Sequence, residues 1–152
     1  MRKSIIAILM TFCLSIMTYA QTPRDRATEL KEQAQSSLNQ KDYIKARYLF
    51  KKAYEAFATR ENYPQAIECG VQANALYVRE NFYKEGFELC RDMDQLIWTG
   101  EQNQKKVFYD LRFLVNKERL QMYTALKNPA QAKTQLNKLE ETANLAKNDS
   151  LT

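Results

Sequence analysis

From Gln21 onward the apolar positions recur at intervals of three and four, the period of an amphipathic helix, and never alternate as a half-buried strand does. The first predicted helix opens at Thr22-Pro23, where Thr22 can cap and Pro23 suits the first turn. Its stripe is Ala27, Leu30, Ala34 and Leu38, and Asn39-Gln40-Lys41 breaks it. Asp42 is placed to cap a second helix carrying Tyr43, Ala46, Leu49, Phe50, Ala53 and Phe57. A third begins at Pro64, with Asn62 or Tyr63 as cap, and buries Ala66, Cys69, Gly70, Ala73, Leu76 and Tyr77. After a tight break at Asn81 the fourth buries Tyr83, Gly86, Leu89, Cys90, Met93 and Ile97, and stops at Thr99-Gly100. The pattern predicts a long fifth helix over 102–126 with Phe108, Leu111, Val115, Met122 and Tyr123 inward. Asn128-Pro129 opens the sixth, whose seam is Ala132, Leu136, Leu139, Ala143 and Ala146. Six helices with short joints pack as consecutive antiparallel neighbours, so the expected fold class is all-α.

The hairpins resemble one another. Tyr77 lies nine residues before Gly86, Tyr123 nine before Ala132, and Ser37 nine before Ala46. Four and seven residues after each small residue come Phe50 and Ala53, then Cys90 and Met93, then Leu136 and Leu139. Tyr43 and Tyr83 stand three residues before Ala46 and Gly86. A small residue at that point lets two helices approach closely, and the larger ones fill the gap to the next hairpin.

This arrangement resembles the tetratricopeptide repeat, most closely in Lys41-Asp42-Tyr43-Ile44-Lys45-Ala46 running on to Phe50 and Ala53. The small-residue markers are 40 and 46 apart, against roughly 34 in the family, and the family's Trp, Leu-Gly pair and closing Pro are missing. What is resembled is therefore a divergent, long-helix form over 27–146. It implies three hairpins stacked as a short α-solenoid; the plainer alternative is an irregular helical bundle. No polar capping helix closes the pattern before Thr152, which reads as a short array or the front of a longer one.

Residues 1–20 are a separate object. Arg2-Lys3 precedes an almost wholly apolar stretch over 5–17, and Thr18-Tyr19-Ala20 presents small residues ahead of Gln21. That is the architecture of a secretory signal peptide cut before Gln21, giving a domain over 21–152 and a periplasmic or secreted location. As an uncleaved anchor the apolar stretch would reach only about 20 Å, short of a bilayer core of roughly 30 Å. A lipoprotein cut at Cys13 is disfavoured by bulky Phe12 in front of it. Loss of Arg2 and Lys3 takes the net charge from +5 to +3. So small an excess, with no block of like charges, argues against nucleic acid. No later stretch reads as a membrane span. A signal peptide followed by such repeats is similar to the exported sensor portion of bacterial membrane-anchored regulators.

Chemistry is poorly provided for. The chain has no histidine, which removes the commonest general base and metal ligand together. Ser36 and Ser37 thus have no activating partner, and neither a phosphate-cradling Gly-rich loop nor metal-ligand spacing occurs. Glu140 and Glu141 are neighbours on a helix, about 100° apart, and face no common substrate. No enzyme activity and no cofactor are expected. Cys69 and Cys90 are placed symmetrically about the break at Glu80-Asn81, so an antiparallel hairpin permits a disulfide worth about 3 kcal/mol in an oxidising compartment. The alternative is two buried free thiols acting as small hydrophobes.

The resemblance implies a concave face lined by the first helix of each hairpin: Lys31 and Gln35, then Glu68, Gln72 and Arg79, then Lys117 and Gln121. A carboxylate clamp of the family type is disfavoured, because the third hairpin offers Leu114 and Glu118 where cations are needed. Off the main stripe of the fifth helix lie Tyr109, Arg112, Phe113 and Asn116; exposed aromatics beside Arg are typical interface anchors, unless the helix is buried on two sides. Lys41, Lys45, Tyr48 and Lys52 form a basic line on the second helix, read as a solvated outer face or a contact for anionic lipid or glycan. The expected function is an exported module that binds a protein or peptide partner. The runner-up is a carrier of a small ligand or lipid in a cavity lined by the fifth helix.

Overall fold

A computed structural model describes residues 25–149, all of them helix or short joint. The expected signal peptide and the Thr22-Pro23 start lie outside the described residues. The helices are α1 (Arg26–Asn39), α2 (Tyr43–Thr59), α3 (Tyr63–Arg79), α4 (Tyr83–Gln104), α5 (Tyr109–Ala125) and α6 (Pro129–Asp149). α1 is capped by Asp25, whose side chain accepts from the Ala27 N–H. Each helix packs on the next in sequence, and α3 also packs on α5. The fold is a six-helix all-α bundle held mainly by neighbouring helices.

Four of the five joints are the same turn. At each, two backbone bonds close the preceding helix: Lys41 N–H to Leu38 O and Asp42 N–H to Ser37 O at the first, with equivalents at 61–62, 81–82 and 127–128. The middle residue is left-handed in every case: Lys41, Glu61, Asn81 and Lys127, with φ of 62°, 57°, 63° and 52°. This is the Schellman closure, made here without glycine. The carbonyls that receive the longer bond belong to Ser37, Phe57, Tyr77 and Tyr123, so three of these are the residues the repeat pattern picks out.

The turns expose a finer period than the hairpin. Tyr43, Tyr63 and Tyr83 each open a helix, and Ala46, Ala66 and Gly86 follow three positions later. One helix and its joint thus recur every 20 residues through α2, α3 and α4. Ala46 and Ala66 are fully buried. Gly86 is pressed closer still, because a Cβ there would lie 2.8 Å from Met122 Sδ and 3.0 Å from Asn74 Oδ1. The core runs along these helices through Phe50, Ala53, Ile67, Cys69, Cys90, Met93 and Ile97 and on to Val115 and Met122 of α5.

Three sequence expectations are corrected. α4 does not stop at Thr99-Gly100 but continues to Gln104, and α5 begins at Tyr109 rather than 102. Gly100 is a packing residue inside α4: a Cβ would meet the Phe108 ring at 2.7 Å and the Tyr63 ring at 3.0 Å. The left-handed residue that ends α4 is Lys105. On α6 the buried line passes through Ala132, Gln135, Leu139, Thr142 and Ala146, whereas Leu136 is 46% exposed and Ala143 lies open. The seam keeps Ala132, Leu139 and Ala146, and Gln135 and Thr142 take the places expected for Leu136 and Ala143. α6 packs mainly on α5, so one narrow stripe is buried and Leu136 falls on the exposed side.

Candidate functional site

The residues expected on the first helices are linked by polar side chains. Lys31 of α1 donates to Gln65 Oε1 at 2.8 Å and to Glu68 Oε2 at 2.7 Å on α3. Gln35 donates to Asn39 of its own helix, and the Arg79 guanidinium lies 3.9 Å over the Tyr43 ring. Gln72, Lys117 and Gln121 stand exposed on α3 and α5. Lys31 and Glu68 are brought together; the other five are not gathered into a common site.

The α5 residues are gathered. Tyr109, Arg112 and Asn116 line a groove of about 610 Å³ between α4, α5 and α6, while Phe113 lies outside it. Opposite them are Asp94, Ile97 and Trp98 of α4 and Lys138, Glu141 and Leu145 of α6. Trp98 is 55% exposed and Leu145 45%. The cations on the α5 wall are held in place. Arg119 forms a forked pair with Asp94 and donates to Cys90 O at 3.0 Å. Arg112 forks onto Glu101, which also accepts from the Phe108 N–H at 2.9 Å. The Arg112 guanidinium holds the Glu101 carboxyl below the usual range. Such a wall sets guanidinium groups held by carboxylates beside an exposed indole.

The sequence reading missed Trp98, Asp94, Arg119 and Leu145. One signal was available: Trp98 is the single tryptophan of the chain, set next to Ile97 but off the α4 buried stripe.

Behind the groove lies a buried polar pair. Glu118 is 4% exposed and accepts from Asn74 Nδ2 at 2.9 Å, joining α5 to α3. Burial drives its carboxyl upward, against smaller opposing effects of Asn74 and Lys117. Asn74 Oδ1 has no hydrogen-bond donor. A Glu118→Gln side chain keeps the acceptor, removes the buried charge and brings an N–H for Asn74 Oδ1. It is expected to raise stability at pH 7 by about 1 kcal/mol. The raised value sets the sign: wild-type stability grows as pH falls through the folded-state value, where the advantage of glutamine disappears. Urea denaturation at pH 7 and pH 5 checks both parts.

Cys69 and Cys90 are both free and buried. Burial pushes the thiols to about 11 and about 12. Cys69 has Lys31 and Glu68 as its charged neighbours, Cys90 has Arg119, Glu118 and Asp94. The two sets share no member.

Among the described residues no group of three or more His, Cys, Asp or Glu could hold a metal ion, and no helix is long and apolar enough to cross a membrane. Compared with protein-family models, curated proteins and solved structures, the chain matches none of them.

Proposed function

We propose that the chain is an exported interaction module of tetratricopeptide-like hairpins that binds a protein or peptide in the α4–α5–α6 groove and carries out no chemistry. The observation that carries this is the exposed Trp98 facing Tyr109, Arg112 and Asn116, with both arginines of the α5 wall already fixed by carboxylates. Fixed side chains lose little entropy on binding, and an indole on a rigid helix is the usual anchor of an interface. The solenoid reading is supported by packing between neighbouring helices and by the α1–α3 and α3–α5 polar links. Export rests on the leader pattern over 1–20. A membrane span and effector domain following in the same reading frame would make the chain the sensor part of a regulator.

Residues 21–152 immobilised on a resin should retain one stoichiometric polypeptide from an extract of the compartment that receives the exported chain. Trp98→Ala should lose it while circular dichroism stays unchanged. Equal retention by Trp98→Ala removes the groove from the reading. The competing carrier reading draws on α5 lining a second groove, of about 600 Å³, through Tyr109, Asp110 and Leu111. Native mass spectrometry separates the two, since a bound lipid or metabolite of defined mass would mark a carrier.

A further inference from the structure

The outer face of α2 carries a second, different surface. Ile44, Lys45, Tyr48, Lys51 and Lys52 fall on one side of the helix, Lys41 stands in the joint just before it, and all six are exposed. Ile44 is 68% exposed and Tyr48 61%, more than any other large hydrophobic side chain among the described residues. Glu55 on this line is taken by Lys52 at 2.8 Å, which leaves Lys41, Lys45 and Lys51 without a carboxylate partner. The opposite face is the core stripe of Ala46, Leu49, Phe50 and Ala53, so these six side chains serve no packing role.

A solvated helix face would mix both signs of charge, and α4 does so: exposed Lys84 and Arg91 stand among Glu85, Glu88, Asp92 and Asp94. On this face of α2 the lysines outnumber the one carboxylate, Glu55, so the positive excess is local. Along the same face a depression of about 380 Å³ is lined by Ile44, Arg47, Tyr48, Lys51, Lys52, Tyr77 and the one carboxylate, Glu55, and is large enough for a phosphate headgroup. From Lys45 to Lys52 the cations extend over roughly 10 Å of helix.

The geometry points to α2 as a peripheral docking face for an anionic phospholipid surface. The lysines would meet the headgroup phosphates, Tyr48 the headgroup level and Ile44 the acyl boundary. An acidic polypeptide satisfies the lysines but gives Ile44 and Tyr48 no apolar layer to enter. The assignment holds whether or not the α4–α6 groove takes a peptide.

The test uses residues 21–152, which contain all six described helices and lack the apolar leader, itself able to bind vesicles. Cosedimentation is measured with vesicles of phosphatidylcholine containing 30% phosphatidylglycerol and with pure phosphatidylcholine (about 0.1 M salt). Binding is expected to the anionic vesicles only. It should weaken roughly fivefold for each of Lys45→Gln and Lys51→Gln, fall further with Ile44→Ser or Tyr48→Ser, and be untouched by Trp98→Ala. All of these positions are exposed, and circular dichroism of each variant verifies the fold. Absent binding, equal binding to neutral vesicles, or indifference to the lysine changes overturns the assignment. So does polyglutamate binding that excludes vesicles and ignores Ile44→Ser, which would make the face a reader of acidic chains.

Discussion

Tyr63→Ala is expected to cost about 3–5 kcal/mol, the range for removing a large ring from a core, and to shift the urea midpoint accordingly. Tyr63 is 1% exposed at the start of α3. Its ring is tilted against Phe108 at 5.7 Å and covers Gly100, whose backbone it approaches so closely that a methyl would collide. It therefore stands where α3, α4 and the α4–α5 joint meet, and its loss opens a cavity between three elements that cannot all close on it. The hydroxyl accepts only from Asn103 Nδ2, at 3.2 Å. Tyr63→Phe should accordingly cost about 1 kcal/mol or less. If phenylalanine proved as damaging as alanine, the hydroxyl rather than the ring would be what holds the corner.

Glu101→Ala is expected to destabilise by about 2–3 kcal/mol, with the loss depending on pH. Phe108 precedes α5 without a side-chain cap of its own. The Glu101 carboxylate, from the preceding helix, takes the Phe108 N–H and the Arg112 fork together. A negative group there also suits the N-terminal end of the α5 dipole. Arg112 is half exposed, so its charge is rehydrated when the partner goes, and the cost stays below that of breaking a fully buried pair. Because the carboxyl is held low in the folded state, its contribution is present above the unfolded value near 4.3 and is lost as pH falls through the folded one. Glu101→Gln should thus be weaker than wild type at pH 7 and lose less stability between pH 5 and pH 3. Parallel acid profiles for wild type and Glu101→Gln would show that the charge of Glu101 does not matter.

Where the pattern and the turn chemistry agreed, the sequence sufficed to place the elements. Asp42, Asn62, Asn81 and Asn128 mark joints that the structure keeps, because a capping or left-handed residue stood where the apolar stripe broke. The reading failed where one residue type serves two purposes. Gly100 follows a helical stripe and has the form of a C-terminal stop, yet it is small because two rings lie against it. Only the position of Phe108, brought back by a joint with no glycine, distinguishes the two uses. Leu136 and Gln135 show the same limit: a leucine outranks a glutamine on any apolar pattern, but the packing of α6 on α5 buries the glutamine and leaves the leucine exposed.

The surfaces divide in the same way. The α2 lysines were visible as a line because they lie on one helix at helical spacing, which sequence alone encodes. The groove was visible only as Tyr109, Arg112 and Asn116, its share on α5. Its remaining walls come from α4 and α6, and Trp98 of α4 lies far from Leu145 of α6 along the chain.

By itself the sequence determined that this protein is helical, where most helices begin and which stripe of most of them turns inward, since capping and period 3.6 are local properties. Tertiary structure alone decided which glycine ends a helix and which lets rings pass, which α6 residues are buried, and which polar side chains from separate helices share one groove. Those outcomes depend on contacts between segments distant in the chain, where close packing admits a single arrangement.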